Sequence, residues 1–274
     1  MRSRDGGKTP DITLQGLSAR GDGGLHLQRH FRHGGFAQRM LIPTESAVPI
    51  GPITPADAGR WCALGLLLVP YGGLLAAQLE AGETLLVSGA TGHFGSAAVQ
   101  VALAMGAGCV VAPGRNEKVL DDLVRRFGPR VRPVRLTGDQ DENRERMRRA
   151  APGPIDCVLD LLPPGAGATL VRTAAMTVRE FGRVVLMGGV GMLGGDDLQL
   201  PYPWLMRNNI TVRGQWLCPP GVGHRLTGLI GSGLLDLTQF EVTEFPLDEA
   251  NEAVAHAAAG GGPFRTTVIR PDQY

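Results

Sequence analysis

From residue 84 onward the chain alternates between short apolar runs and longer amphipathic ones. Residues 84–88 (TLLVS), 109–112 (CVVA), 131–136 (VRPVRL), 155–160 (IDCVLD), 183–187 (RVVLM) and 210–216 (ITVRGQW) have the length and β-branched content of strands. Between them, residues 93–105, 117–127, 140–150 and 166–180 read as helices. Strands that alternate with helices of about 10–15 residues predict βαβ units and a parallel sheet. Right-handed crossovers then place helices on both faces. Ahead of this region, residues 56–79 are Ala/Leu-rich and predict a buried helix or a pair of them. Residues 36–43 (FAQRMLIP) alternate as an edge strand that stops at Pro43. Near the end, a helix over 248–259 and a strand over 266–270 are predicted, and no internal repeat is visible.

Composition narrows the function classes. The chain has 274 residues, 43% of them apolar, which is enough for a real core and argues against a disordered chain. Gly at 40 residues points to many tight turns and close backbone approaches. A formal charge of +1 gives no bulk attraction to nucleic acid, so no nucleic-acid partner is expected. The four cysteines lie far apart with no CxxC pair, and they read as buried thiols of a reducing compartment. The longest apolar run, 63–79, is broken by Gly65, Pro70, Gly72 and Gly73, so no membrane span is expected. MRSRDGGKTPD has no apolar h-region, and a cytoplasmic location is the expectation.

The sharpest motif is VSGATGHFG. Gly89, Gly92 and Gly95 follow a predicted strand and open a predicted helix. A pyrophosphate must approach bare backbone there, and its charge is favoured by the unpaired N–H groups of the helix start. Gly95 lets the helix pack on the strand. The spacing is G-x-x-G-x-x-G rather than strict G-x-G-x-x-G. These features predict an α/β fold with a Rossmann-type doubly wound parallel sheet in the order 3-2-1-4-5-6. The second strand runs into CVVAPGRNEK, with no acid at its end but with Arg115 and Lys118 following. A carboxylate would repel a 2′-phosphate whereas a guanidinium binds it in bidentate fashion, so the expected cofactor is NADP(H). Arg115 also reads as a solvated charge, with Glu117 as an available partner.

The segments AGETLLVSGATGHFGSAAVQVALAMGA, GRVVLMGGV and FPLDEANEAVAHAAAGGGPFRTTVIRP resemble the medium-chain dehydrogenase/reductase superfamily, which holds the zinc-type alcohol dehydrogenases and the quinone oxidoreductases. The resemblance implies a reduced GroES-like catalytic portion from 36–55 plus 236–274, and a Rossmann domain over 56–235, after a basic leader at 1–35. It implies hydride transfer between a nicotinamide cofactor and an alcohol, carbonyl or quinone. It places the pyrophosphate at Thr91, Gly92, His93 and Phe94, and the 2′-phosphate at Arg115 and Lys118. It brings Met187, Gly188, Gly189 and Val190, with Gly214 and Gln215, toward the nicotinamide. A dimer through the sheet edge is also implied.

Departures from the family pattern matter as much. Only about twenty matching residues precede residue 56, the Gly-His-Glu motif is missing, and LLLVPYGG carries no Cys where zinc-type members have one. The four-cysteine lobe of a structural zinc is missing too. The resemblance therefore implies a zinc-free, quinone-oxidoreductase-like member or a shortened one. The resulting expectation is a zinc-independent, NADP(H)-dependent oxidoreductase acting on a small molecule; an NADP(H)-binding sensor without turnover is the alternative.

Other residues stay open. Tyr71, in VPYGG, is a candidate proton donor to a carbonyl or a ring packed in the core. Asp160 ends the fourth strand, where ligands collect, and equally reads as a helix cap or loop bond. His93 reads as a phosphate contact or an exposed turn residue. His26, His30 and His33 share one face if helical, but the flanking arginines disfavour a metal cation, and a mobile basic tail is expected.

Overall fold

The computed structural model describes residues 12–15, 18–219 and 221–271. The chain divides into two compact units: residues 60–241 with 261–266, and residues 1–59 with 242–260 and 267–274.

The larger unit is built on six parallel strands. They are β1 (Thr84–Ser88), β2 (Cys109–Gly114), β3 (Val131–Arg135), β4 (Ile155–Asp160), β5 (Val178–Leu186) and β6 (Thr211–Gly214). Their spatial order is β3-β2-β1-β4-β5-β6, as the alternation in the sequence predicts. The helices are α1 (Leu64–Ala76), α2 (His93–Ala104), α3 (Glu117–Phe127), α4 (Gln140–Ala150), α5 (Ala168–Ala175), α6 (Tyr202–Arg207) and α7 (Gly223–Gly231).

Side-chain alternation along β1 sorts the core into two layers. Leu85 and Val87 join α1, α2 and α3 through Leu74, Val99 and Leu120. Leu86 faces the other way and packs with Val111, Val158, Met147 of α4 and Ala174 of α5. Because β1 and β4 are buried on both faces, they carry continuous apolar runs rather than alternating ones. The parallel registers pair Ser88 with Asp160, Asp160 with Leu186, and Leu186 with Gly214, which aligns the carboxyl ends of four strands along one edge.

Several sequence expectations are corrected. Residues 36–43 form no strand; Phe36 and Leu41 are 64% and 62% exposed, and no neighbouring strand among the described residues offers the ladder that the alternation needs. The glycines and proline in the run at 63–79 do not break it. The helical stretch Ala58–Ala76 spans 19 residues and is long and apolar enough to cross a membrane by length and composition, with half of it buried inside the fold. Pro70, Tyr71 and Gly72 lie inside α1, where the glycines admit close neighbours: a side chain at Gly72 would meet Cys218, and one at Gly73 would meet Leu159. Lastly, Cys62 is exposed and Cys218 half-buried, while Cys109 and Cys157 are buried as expected.

In the smaller unit, Ile12–Leu14 and Ser18–Arg20 pair antiparallel and lead into a helix, Gly21–His30. The expected mobile tail thus holds a helix. His26 and His30 meet edge-to-face with ring centroids 5.4 Å apart, and His33 lies past the helix end. Strands β7 (Glu241–Pro246) and β8 (Arg265–Arg270) pair, with α8 (Ala250–Gly260) between them in sequence; residues 242–246 and 267–270 of the two strands belong to this unit. Arg270 ties this unit together through Glu244 at 2.8 Å and the Pro55 carbonyl at 2.9 Å.

Candidate functional site: a cleft at the carboxyl edge

β1 and β4 are neighbours in the sheet, yet the chain leaves them in opposite directions across it. That switch point opens a crevice outside the strand ends. A cavity of about 760 Å³ occupies it, entirely within the larger unit. This is the size of a site for a cofactor or a drug-sized ligand.

The β1–α2 turn forms one wall. Gly89 takes φ +87°, the left-handed region, and its carbonyl accepts from the Gly92 N–H at 2.9 Å. A Cβ on Gly95 would overlap that same carbonyl oxygen and come within 2.8 Å of the Ala90 Cα. Only glycine at Gly95 lets α2 start this close to β1. The result is a helix N-terminus, at His93, whose first amides carry no side-chain cap and border the cavity.

The structure brings ten of the sequence candidates to this cavity: Gly89, Thr91, Gly92, His93, Phe94, Arg115, Met187, Gly188, Gly189 and Gln215. The ends of β5 and β6 place the last four, with Gln215 donating from its backbone to the Leu186 carbonyl at 3.0 Å. Gly95 lies behind the turn, and Lys118, Val190 and Gly214 do not line the cavity. Arg115 is exposed at the mouth. Glu117, the available alternative partner, is engaged elsewhere, by Arg135 at 2.5 Å. Among the described residues Arg115 has no ion-pair partner.

His93 has a structural duty beyond the loop. Its Nδ1 lies 2.9 Å from the Gly262 carbonyl, so that nitrogen carries the hydrogen and donates it. Tyr71 is 5% exposed within the core cluster, and burial raises its phenol, with Arg225 pulling weakly the other way. It does not line the cavity.

Asp160 sits directly beneath the cavity wall and is 3% exposed. Burial pushes its carboxyl up to about 6; hydrogen bonds from the Ser88 hydroxyl and the Leu162 and Gly188 amides oppose that rise. Three strand ends thereby converge on one carboxylate, whose Oδ1 is left without a partner among the described residues.

Sequence reasoning missed the far end of the cavity. It is lined by Leu136, by residues 161–167 after β4, and by Gln140, Asn143, Leu170 and Thr173 of α4 and α5. Asn143 is fully buried, one residue ahead of the charged run RERMRR (144–149), which reads as a solvated face. The spacing Gln140-Asn143-Met147 (i, i+3, i+7) is the signal that marks one inward stripe on that helix.

A parallel sheet in this order, with a glycine turn and an uncapped helix start at its switch point, defines a Rossmann-type nucleotide-binding fold. Residues 94–229 match the model of the zinc-binding dehydrogenase family. Prostaglandin reductase 1 of Oryctolagus cuniculus is 32% identical over 176 residues, which are 62% of this chain and 48% of that protein. Acryloyl-coenzyme A reductase of Metallosphaera sedula is 37% identical over 172 residues, 62% of this chain and 46% of that protein. The chain thus spans about half the length of these curated relatives. The solved alcohol dehydrogenase of Thermus sp. ATN1 superposes with a TM-score of 0.67 at 23% identity, covering 88% of this chain and 69% of that one. Over residues 94–229, just under half of the chain, the sequence is thus similar to the medium-chain zinc-type dehydrogenases/reductases.

Proposed function

We propose that this chain is a zinc-independent, NADP(H)-dependent oxidoreductase that moves hydride between a nicotinamide and a small carbonyl, alcohol or quinone. Arg115 carries the reading. It stands at the cavity mouth after a β2 end that has no carboxylate, and Glu117 is drawn off by Arg135.

The residues present fit such a cofactor. The bare turn at Gly89 and Gly92 and the uncapped start of α2 suit a pyrophosphate, which the helix amides would hold. Arg115 would grip the 2′-phosphate, with Lys118 adding charge from the next turn. Met187, Gly188, Gly189 and Gln215 would orient the nicotinamide at the ends of β5 and β6. Phe94, Met192, Trp216 and Leu217, apolar and partly exposed at the cavity, would exclude water once a substrate is in place. The cofactor itself supplies the hydride when bound.

Zinc independence is supported by the Cys-less stretch LLLVPYGG, and no group of three metal-ligating side chains stands together among the described residues. Both relatives are named as reductases, which favours the direction in which NADPH gives up hydride. Tyr71 is left out of this machinery because its ring is buried away from the cavity.

The test is titration of the purified chain with NADPH and NADH, followed by NADPH oxidation against a panel of enones, aldehydes and quinones. Binding of NADPH at least about tenfold tighter than NADH, with turnover, is expected. Equal affinity for the two would overturn the 2′-phosphate reading. Tight binding with no turnover across the panel would replace the enzyme with a sensor.

A further inference from the structure

We propose that binding of the dinucleotide is linked to uptake of a proton by Asp160, a buried carboxylate that holds two amides of the cleft wall. The inference rests on the dinucleotide reading above and adds a proton to it.

Asp160 is placed by register. It ends β4 opposite Ser88 of β1 and Leu186 of β5. Beyond these three residues the chain runs into the segments that wall the cleft, and their backbones are laced together. Leu161 donates to the Ser88 carbonyl at 3.0 Å, Met187 to the Asp160 carbonyl at 3.1 Å, and Gly189 to the Leu162 carbonyl at 2.8 Å. The Asp160 side chain continues this seam by accepting from the Ser88 hydroxyl and the Leu162 and Gly188 amides. A Cβ on Gly188 would overlap the Asp160 Oδ2, so the carboxylate touches the wall directly. Its Oδ1 is buried with no partner among the described residues.

The charged groups of the elements around it do not reach this carboxylate. Arg183 of β5 is level with Cys157, three positions toward the amino end, and pairs with Glu83. Asp156 lies lower still and pairs with Arg179 at 2.6 Å. On α1 the titratable group is Tyr71, and on α5 it is Arg172, which is exposed. Among the described residues that line the cavity the titratable groups are His93, bonded to the Gly262 carbonyl, and Arg115 at the mouth. Burial therefore outweighs the three donors, and the carboxyl is already raised to about 6.

A dinucleotide would push in the same direction. Gly89, in the turn assigned to the pyrophosphate, follows Ser88 directly, and a Cβ on it would stand 3.1 Å from the Leu161 carbonyl. That turn and the strand end that carries Asp160 are thus packed against each other. A negative charge about 10 Å from a buried carboxylate raises it by about one pH unit at an effective dielectric of about 20. A ligand that fills the cavity also displaces water, which disfavours the charged form further. The complex then holds a proton that the free chain has released near neutral pH, and affinity grows as pH falls toward 6.

Calorimetry of NADP+ binding in two buffers of different ionisation enthalpy counts that proton. The wild-type chain is expected to take up about half a proton more than Asp160→Asn at about pH 6.5. The ratio of wild-type to variant affinity is expected to rise about fivefold between pH 8 and 6. Protons exchanged by the 2′-phosphate or by His93 are common to both proteins and cancel in the comparison. Ser88→Ala, which removes a donor that steadies the charged form, is expected to move the uptake to higher pH and serves if Asp160→Asn does not fold. Equal proton counts with a flat affinity ratio would overturn the proposal, and so would an uptake profile that stays in place in Ser88→Ala. Failure of the wild-type chain to bind NADP+ at all would instead overturn the dinucleotide reading beneath it.

Discussion

The Glu117 carboxylate pairs with Arg135 of β3, at 2.5 Å, and turns away from Arg115 two residues before it. A surface pair of this kind contributes little to stability. Its consequence is electrostatic: among the described residues Arg115 is the arginine that lines the cavity, and no carboxylate pairs with it.

Arg115→Ala is therefore expected to weaken NADPH by about ten- to hundredfold, the size of a lost charge-assisted contact, and to leave NADH nearly unchanged. Lys118→Ala, at a side chain that does not line the cavity, should cost less than the arginine does. Parallel titrations with the two cofactors check both. An equal loss for NADPH and NADH would remove Arg115 from the phosphate.

The two inner glycines of the loop should separate folding from binding. A Cβ at Gly95 runs into the Gly89 carbonyl, so Gly95→Ala is expected to destabilise the chain by about 1–3 kcal/mol in urea melts. A Cβ at Gly92 stands 3.2 Å from the same oxygen, a tight but bearable approach. Gly92→Ala should keep its melting temperature within a few degrees and lose cofactor affinity, because the added methyl occupies the approach to the helix amides. A Gly92→Ala variant that binds normally would mean that no phosphate nests there.

Asp160 gives a pH signature of definite sign. Its carboxyl is raised by burial to about 6, from 3.8 when unfolded. The native state then holds the proton more tightly, so this group's contribution is present below about pH 4 and is lost as pH rises through 6. Asp160→Asn removes the titration. The stability of the variant minus that of the wild-type chain is expected to climb by up to about 3 kcal/mol between pH 4 and 6 and then level off. Urea unfolding at stepped pH measures it; a flat difference would show that the native carboxyl is not raised.

Thiol chemistry should follow exposure. Cys62 is expected to label first at neutral pH, and Cys218 more slowly. Cys109 and Cys157 should react only on unfolding, since burial raises both thiols, that of Cys157 to about 12. Mass spectrometry after timed alkylation gives the order. Early modification of Cys157 would contradict its burial.

The sheet could be read from sequence because β1, β2 and β4 are buried on both faces and spell themselves as unbroken apolar runs. The glycine turn could be read because its chemistry is local: Gly89, Gly92 and Gly95 each answer a contact within a few residues. What could not be read depends on partners far along the chain. Residues 36–43 alternate like a strand, yet a strand exists only where another lies beside it. Pro70, Gly72 and Gly73 look like breaks, whereas Leu159, Met187 and Cys218 pack so closely on α1 that Gly72 and Gly73 have no room for a side chain. Asn143 hides among arginines and acids, and only the Thr137 loop that it fastens shows why it turns inward. His93 reads as a loop residue, and its partner Gly262 lies 169 positions away.

Phe264 belongs to the larger unit although it comes after α8, and no part of it reaches solvent. Its ring meets Phe127 and Phe240 at 5.6 and 5.8 Å, with the Arg126 guanidinium 4.7 Å above it. The nucleotide fold is consequently not a stretch of sequence that can be cut out at its apparent borders. A fragment ending at residue 241 would leave an unfilled hole the size of a phenyl ring under α3, a defect that costs about 3–5 kcal/mol when made by truncating a single buried aromatic. Anyone wishing to isolate that half of the molecule must carry along, or graft back, a short piece of its distant tail.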